Sequence, residues 1–192
     1  MRRFGLAALA ACMMSTAVAG PVTYEVDPAH TFPTFETDHF NGLSVWRGRF
    51  DHTTGTIVYD KDKGSGSVHL TIDTASVSFG HSKLDERVRG DQILDSDRYP
   101  TATYQGSLAD FKDGVPAKVE GQLTLRGVTR PLELRIRSFK CMLNPMSRKE
   151  VCGADATGVF DRAAYGINYD EKFGFRMDVH LLIQVEAIRR DD

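Results

Sequence analysis

The segment from Gly121 to Leu134, GQLTLRGVTRPLEL, alternates apolar and polar residues on both sides of a turn. Leu123 and Leu125 alternate with polar residues before Gly127, and the alternation resumes at Leu132. Since successive side chains of a strand point to opposite faces, the pattern predicts a β-hairpin with one apolar face. A chain built mostly of such strands has to roll its sheet or stack it, and a rolled sheet encloses an interior.

The same period of two runs through most of the chain. It is clearest in the last predicted strand, Phe175 to Ile188. One face of that strand carries Met177, Val179, Leu181, Ile183, Val185 and Ala187. Further strands are predicted over 23–27, 30–37, 45–60 (two pieces around Gly55), 67–73, 101–111, 117–126, 131–140 and 154–161. Roughly eight to ten strands fit a closed antiparallel barrel or a sandwich, and the strand pattern favours neither.

The stretch from Ser82 to Asp95, SKLDERVRGDQILD, differs because it is charged and poor in β-branched residues. Ser82 is a suitable N-cap, and Leu84 and Val88 have helical spacing. We therefore predict one short helix near 82–95. Gly90 weakens that helix by about 1 kcal/mol relative to alanine, which favours a break at this position.

The first nineteen residues have the composition of a secretory signal peptide. Arg2 and Arg3 start the segment, a short apolar run follows, and Ala17-Val18-Ala19 has small residues where signal peptidase cleaves. The sequence predicts a signal peptide over 1–19 and one domain over 20–192. The alternative makes Cys12 the acylated residue of a lipoprotein, although few apolar residues precede it.

Charge and hydropathy limit the partners. No apolar run after residue 20 is long enough to cross a bilayer as a helix. The formal charge is −2 and becomes more negative when Arg2 and Arg3 are removed. There is no long basic block, so the sequence gives no reason to expect nucleic acid as a partner.

Cys141 and Cys152 remain after the predicted cleavage, an even pair in an exported protein. This predicts a disulfide that closes a loop containing Asn144-Pro145. The chain-entropy relation gives such a loop a stabilisation of about 2.5–3 kcal/mol. A redox or metal-binding pair is the alternative, but those sites favour C-x-x-C spacing.

The chain as a whole resembles the YceI-like family of exported lipid-binding proteins. The matching residues keep the family's order over almost the whole mature chain. They are Tyr24, Asp27, His30, Phe35 and His39, then Gly48, Phe50, Gly55 and Ile57, then Ser76, Tyr99-Pro100, the run Val119 to Thr129, and Phe160, Arg162, Tyr165 and Gly166. Two features differ from many members: Ile93-Leu94 replaces an aromatic pair, and the Cys141–Cys152 segment is an elaboration.

The resemblance implies a lipocalin-like antiparallel β-barrel of about eight strands with a helix against it. It also implies a non-catalytic periplasmic protein that holds a long-chain isoprenoid or another amphiphilic lipid, without a cofactor. The candidate ligand-binding residues are Phe32, Phe35, His39, Phe50, Leu84, Leu94, Phe160, Phe175, Leu181 and Ile183. The alternative is that these side chains fill a solid core, since small barrels are usually packed shut.

Other chemistry finds little support in the sequence. The histidines lack the close spacing of metal ligands, so His30 and His39 are expected to bond turn backbone or a ligand head group. No G-x-S-x-G elbow surrounds a serine, and basic residues intersperse the helix carboxylates. An exported enzyme acting on a small hydrophobic substrate is the alternative function, and a stress-related protein without ligand is a third. Exposed barrel edges would also allow a homodimer.

Overall fold

The alternating segments form one antiparallel sheet that closes on itself. The computed structural model describes residues 20–191, so the predicted signal peptide and Cys12 lie outside the described residues. The strands are β1 (Val22–Val26), β2 (Phe32–His39), β3 (Ser44–Phe50), β4 (Thr53–Asp60), β5 (Ser65–Asp73), β6 (Val77–Ser78), β7 (Thr101–Ala109), β8 (Lys118–Leu125), β9 (Val128–Leu143), β10 (Glu150–Asp161) and β11 (Asp178–Arg189). One helix, α1 (Ser82–Arg89), lies between β6 and β7, and short 3₁₀ turns cover Thr74–Ser76, Arg162–Tyr165 and Glu171–Phe173. Within residues 20–191, no helix has the length and apolar character needed to cross a bilayer.

Pairing between the first and last strands closes the barrel. The sheet runs from β1 through β4, β5, β7, β8, β9 and β10 to β11. β11 returns to β1 through the pairs Tyr24–Arg189 and Val26–Ala187. A closed eight-stranded barrel has no exposed edge along this circuit. The structure therefore confirms the predicted all-β barrel with one short helix, and not the sandwich.

One half of the barrel contains more strands than the closed circuit alone. Beyond the end of β1, the edge of β11 pairs with β2, from Phe32–Gln184 to Thr37–Val179. β2 then pairs with β3, and β3 pairs with β6 through Arg49–Ser78 and Phe50–Val77. The segment from 74 to 100, which contains β6 and α1, adds Phe79, Leu84 and Val88 to the interior of this half. We call the half next to α1 the open end, and the half with the turns at 61–64, 110–117 and 144–149 the closed end.

The predicted helix is shorter than expected at its C-terminal end, and its N-cap is one residue earlier. His81 is the N-cap, and its Nδ1 accepts a hydrogen bond from the Leu84 backbone N–H at 3.3 Å. Ser82, predicted as the cap, is the first helical residue. The helix ends at Arg89, and the following Gly90 is extended. Ile93 and Leu94 lie in the turns that follow, because glycine breaks the helix where the composition predicted a weak point.

Several strand boundaries differ from the prediction, three of them at or near turns. The strand around Gly55 is continuous, and the break lies at Asp51–His52. Gly55 is required inside β4 because a Cβ there would clash with the backbone of β5. β9 begins at Val128 after a two-residue turn in which Arg126 (φ 49°) and Gly127 (φ 74°) are left-handed. Phe175 precedes β11 and is not part of it.

The disulfide joins two paired strands at the closed end. Cys141 and Cys152 are bonded and are direct partners in the β9–β10 ladder. The prediction of the bond is therefore confirmed. The segment between the cysteines, however, is the end of a long β-hairpin and not an irregular loop, since β10 already begins at Glu150. Met146, at the tip of the hairpin, is 88% exposed.

Aromatic side chains fill the closed end. Tyr59 packs against Phe139, with ring centroids 5.3 Å apart, and stacks on Phe111 at 6.4 Å. The hydroxyl of Tyr24 donates to Glu150 Oε2 at 3.1 Å. Burial, reinforced by this carboxylate, raises the pKa of Tyr24 to about 12. The closed end is thus a solid core whose polar atoms have partners.

Candidate functional site

The open end encloses a cavity of about 360 Å³, lined mainly by inward-facing apolar side chains. This volume lies in the range of known small-molecule sites. The strands contribute Pro33, Phe35, Thr37, Trp46, Phe50, Leu70, Ile72, Ala102, Tyr104, Leu123, Leu125, Leu132, Leu134, Phe160, Val179, Leu181 and Ile183. The segment around α1 contributes Phe79, Leu84, Arg87, Val88, Ile93 and Leu94. The interior is therefore hollow at this end and suited to an apolar group.

The residues predicted to bind the ligand converge on this cavity, with one exception. Its lining includes Phe35, His39, Phe50, Leu84, Leu94, Phe160, Phe175, Leu181 and Ile183. The structure brings them together from strands, from α1 and from the loop before β11. Their contact with a ligand stays a prediction.

Phe32 is the exception, and the structure corrects it. Phe32 and Phe35 are three residues apart in β2, so the two side chains point to opposite faces. Phe35 is 9% exposed and faces the cavity. The ring of Phe32 lies under the guanidinium of Arg49, 4.6 Å from its carbon atom. Phe32 therefore belongs to the outer surface.

Four aromatic rings form the mouth of the cavity. We call His39, Phe40, Trp46 and Phe175 the mouth cluster. The His39 ring lies 4.9 Å from Trp46 and 5.5 Å from Phe175, and Phe40 lies 4.8 Å from Phe175. Phe40 remains 52% exposed. The mouth thus presents aromatic faces to both the solvent and the cavity.

An ion pair between the buried Asp38 and the half-exposed Arg176 lies beside the mouth cluster. Asp38 accepts hydrogen bonds from the backbone N–H of Arg176 at 3.0 Å and from its Nη2 at 3.1 Å. Burial alone would raise the pKa of Asp38, but the hydrogen bonds from Arg176 outweigh it and lower that pKa. The side chain of Asp38 is only 2% exposed. This pair fixes the loop carrying Phe175 to the end of β2.

Arg162 is one of two arginines that line the cavity, the other being Arg87. Its guanidinium donates to the carbonyl oxygens of Ile167 at 3.2 Å and Tyr169 at 3.0 Å. Burial lowers the pKa of Arg162, against the opposing effect of Asp170 and Asp161, yet an arginine remains charged at neutral pH. Arg162 therefore organises the loop at the mouth.

Sequence reasoning missed four aromatic side chains of the lining: Trp46, Phe79, Tyr104 and Tyr169. Trp46, Gly48 and Phe50 share one face of β3, so the strand period that goes with Phe50 also indicated Trp46. Tyr104 shares a face of β7 with Ala102 and was recognisable in the same way. Phe79 lies between β6 and α1, where no periodic pattern marks it.

The described part of the chain holds no group of three or more His, Cys, Asp or Glu side chains placed to bind a metal ion. His30 pairs with Asp27 at 2.7 Å, and that hydrogen bond raises the pKa of His30. Ser44 Oγ lies 3.3 Å from Nδ1 of His39. His30 thus bonds a neighbouring side chain, whereas His39 lines the cavity.

Solved structures with a similar fold include BcnA of Burkholderia cenocepacia. It superposes with a TM-score of 0.68 at 21% identity, over 84% of this chain and 99% of that chain. A second structure is a polyisoprenoid binding domain from Saccharophagus degradans, described as implicated in plant cell wall breakdown. It superposes with a TM-score of 0.62 at 17% identity, over 88% of this chain and 99% of that chain. The YCEI protein of Campylobacter jejuni superposes with a TM-score of 0.66 at 22% identity, over 80% of this chain and 90% of that chain.

Proteins of similar sequence match most of this chain. Protein YceI of Shigella flexneri is 31% identical over 184 residues, which cover 94% of each chain. A UPF0312 protein of Shewanella putrefaciens is 29% identical over 161 residues, covering 82% of this chain and 83% of that protein. The model of the YceI-like domain matches residues 24–187. The resemblance noted in the sequence is confirmed, and the chain belongs to the YceI-like family.

Proposed function

We propose that this protein is a non-catalytic periplasmic carrier that holds a long-chain isoprenoid or another amphiphilic lipid in its barrel. The observation that carries the proposal is the apolar cavity with its mouth at the open end. Each methylene moved from water into such a site contributes about 0.8 kcal/mol before ordering costs, so a chain of about ten gives useful affinity. The polar groups His39 and Arg162 lie at the mouth, where a head group would remain.

Two further observations support the ligand class and the location. One structural neighbour is named as a polyisoprenoid binding domain. The predicted signal peptide and the Cys141–Cys152 disulfide are both typical of an oxidising compartment.

Mass spectrometry of an organic extract tests the proposal. The natural full-length gene is expressed, the mature protein is purified from the periplasmic fraction, and its extract is compared with that of an equal amount of a Leu181→Trp variant. We expect a lipid at a fixed ratio to the wild-type protein and its loss from the variant. An empty wild-type protein that also binds no added isoprenoid would refute the carrier. Chemical conversion of an added lipid would refute its non-catalytic nature.

A further inference from the structure

The cavity stops at a definite level of the barrel. Its lowest lining residues are Leu70, Tyr104, Leu134 and Ile183. Farther toward the closed end, inward residues such as Val68, Leu108 and Val119 are each less than 10% exposed and belong to the packed core. An apolar chain that enters from the mouth therefore meets a floor at the level of Tyr104.

Tyr104 is held flat against the barrel wall at this level. Its side chain starts on β7 and crosses β8, and its hydroxyl donates to the carbonyl oxygen of Leu132 on β9 at 3.0 Å. A longer contact, 3.4 Å, joins the same hydroxyl to the carbonyl oxygen of Val119. Tyr104 is 4% exposed, so its hydroxyl would be costly to bury without these acceptors.

The flat position depends on Gly121, the residue of β8 that lies beneath the ring. A Cβ at position 121 would lie 2.5 Å from Cζ of Tyr104 and 2.7 Å from the backbone carbonyl oxygen of Gln105, both much closer than van der Waals contact. Since carbonyl groups of β8 and β9 hold the hydroxyl, an added methyl group would push the ring toward the barrel axis. Glycine at 121 thus keeps the lower cavity free of the Tyr104 ring.

We propose that the Tyr104–Gly121 pair sets the depth of the cavity and so the length of apolar chain that this protein binds. The inference rests on the proposed function and narrows its ligand class. The favoured ligands are amphiphiles whose tail spans the distance from the mouth to Tyr104. Any tail beyond that length stays outside the mouth and adds no affinity.

The test is a chain-length profile. Saturated fatty acids from octanoate to docosanoate compete with a fluorescent fatty acid for the delipidated protein. For the wild type we expect affinity to rise about fourfold per methylene and then to reach a plateau. The plateau marks the length at which the chain end reaches the floor.

Variants at the two positions should move the plateau in opposite directions. Gly121→Ala should move it to shorter chains, because the ring enters the lumen. Tyr104→Ala should move it to longer chains, and the milder Tyr104→Leu should move it less far in the same direction. In the double variant the added methyl group has no ring to displace, so its profile should match that of Tyr104→Ala alone.

Two matched controls separate this role from general destabilisation. Tyr104→Phe keeps the ring and loses the hydroxyl, and should keep the wild-type plateau. Gly153→Ala makes the same change on β10, where the added Cβ would have only ordinary contacts, the nearest at 3.6 Å. Thermal unfolding of each variant confirms that a folded protein was titrated. If Gly121→Ala does not fold, Tyr104→Leu compared with Tyr104→Phe decides the question.

The test distinguishes failure of the depth proposal from failure of the carrier proposal. If the wild type binds neither the fatty acids nor added isoprenoids, the carrier proposal fails and the depth proposal fails with it. If the wild type binds with a plateau that none of the folded Tyr104 and Gly121 variants moves, the carrier proposal stands and the depth proposal is overturned.

Discussion

The two ends of this barrel have the same strand pattern but different interiors. At the closed end the circuit closes directly through the β1–β11 pairs, and rings such as Tyr59 and Phe139 meet across the interior. At the open end, β2, β3 and β6 continue the sheet from β11, and α1 adds Leu84 and Val88 to the interior. The wall is longer there, so inward side chains of similar size no longer meet. The cavity is thus a product of strand topology more than of small side chains.

Replacing Tyr59 by alanine should have the largest effect on stability and almost none on binding. The ring packs against Phe111 and Phe139, so we expect a loss of about 3–5 kcal/mol in the free energy of unfolding. Leu181→Ala at the open end should cost less than about 2 kcal/mol, because one side of Leu181 already faces the cavity. Urea unfolding measures the free energy of unfolding of both variants. Equal losses would mean that the open end is as tightly packed as the closed end.

Removing the disulfide should weaken the closed end and leave the open end unchanged. In a Cys141→Ala/Cys152→Ala variant the free energy of unfolding should fall by about 2.5–3 kcal/mol, because the unfolded chain is no longer constrained. Lipid affinity should not change, since no residue between the two cysteines lines the cavity. Urea unfolding with and without reductant, on the wild type, is the control. A loss of binding in the folded variant would contradict the independence of the two ends.

Filling the cavity should abolish binding with little effect on the fold. Leu181→Trp places a larger side chain in space that is already empty, so we expect at least about a tenfold loss of lipid affinity and a stability change within about 1 kcal/mol. The matched control is Leu182→Trp on the outer face, where the native residue is 44% exposed. Titration with a fluorescent lipid measures the affinity of both variants. Unchanged affinity in Leu181→Trp would place the binding site elsewhere.

Acid should loosen the mouth. Because the pKa of Asp38 is lowered in the folded protein, its pair with Arg176 stabilises the mouth above the ordinary aspartate pKa of about 3.9, and this stabilisation is lost as the pH falls through the lower folded value. Trp46, the one tryptophan of the chain, lies in the mouth cluster and reports the change by fluorescence. Asp38→Asn should lack the transition. The same titration in both proteins would exclude Asp38 as its origin.

The sequence predicted the strands better than it predicted the space between them. Period-two alternation located the 121–134 hairpin and the inward face of β11, because each depends on neighbouring residues alone. Phe32 was misplaced because aromatic character was given more weight than the strand period. The floor at Tyr104 could not be predicted, since it depends on which residues of two other strands lie beside that ring.

Gly121 has a consequence for the comparison of this protein with its relatives. If the Tyr104–Gly121 pair sets the cavity depth as proposed, one methyl group at that position changes the room inside the barrel, and a single codon change is enough to alter the length of the bound chain. Chains that agree at every strand boundary can therefore differ in what they carry. Superposition at 17–21% identity accordingly says little about the preferred lipid.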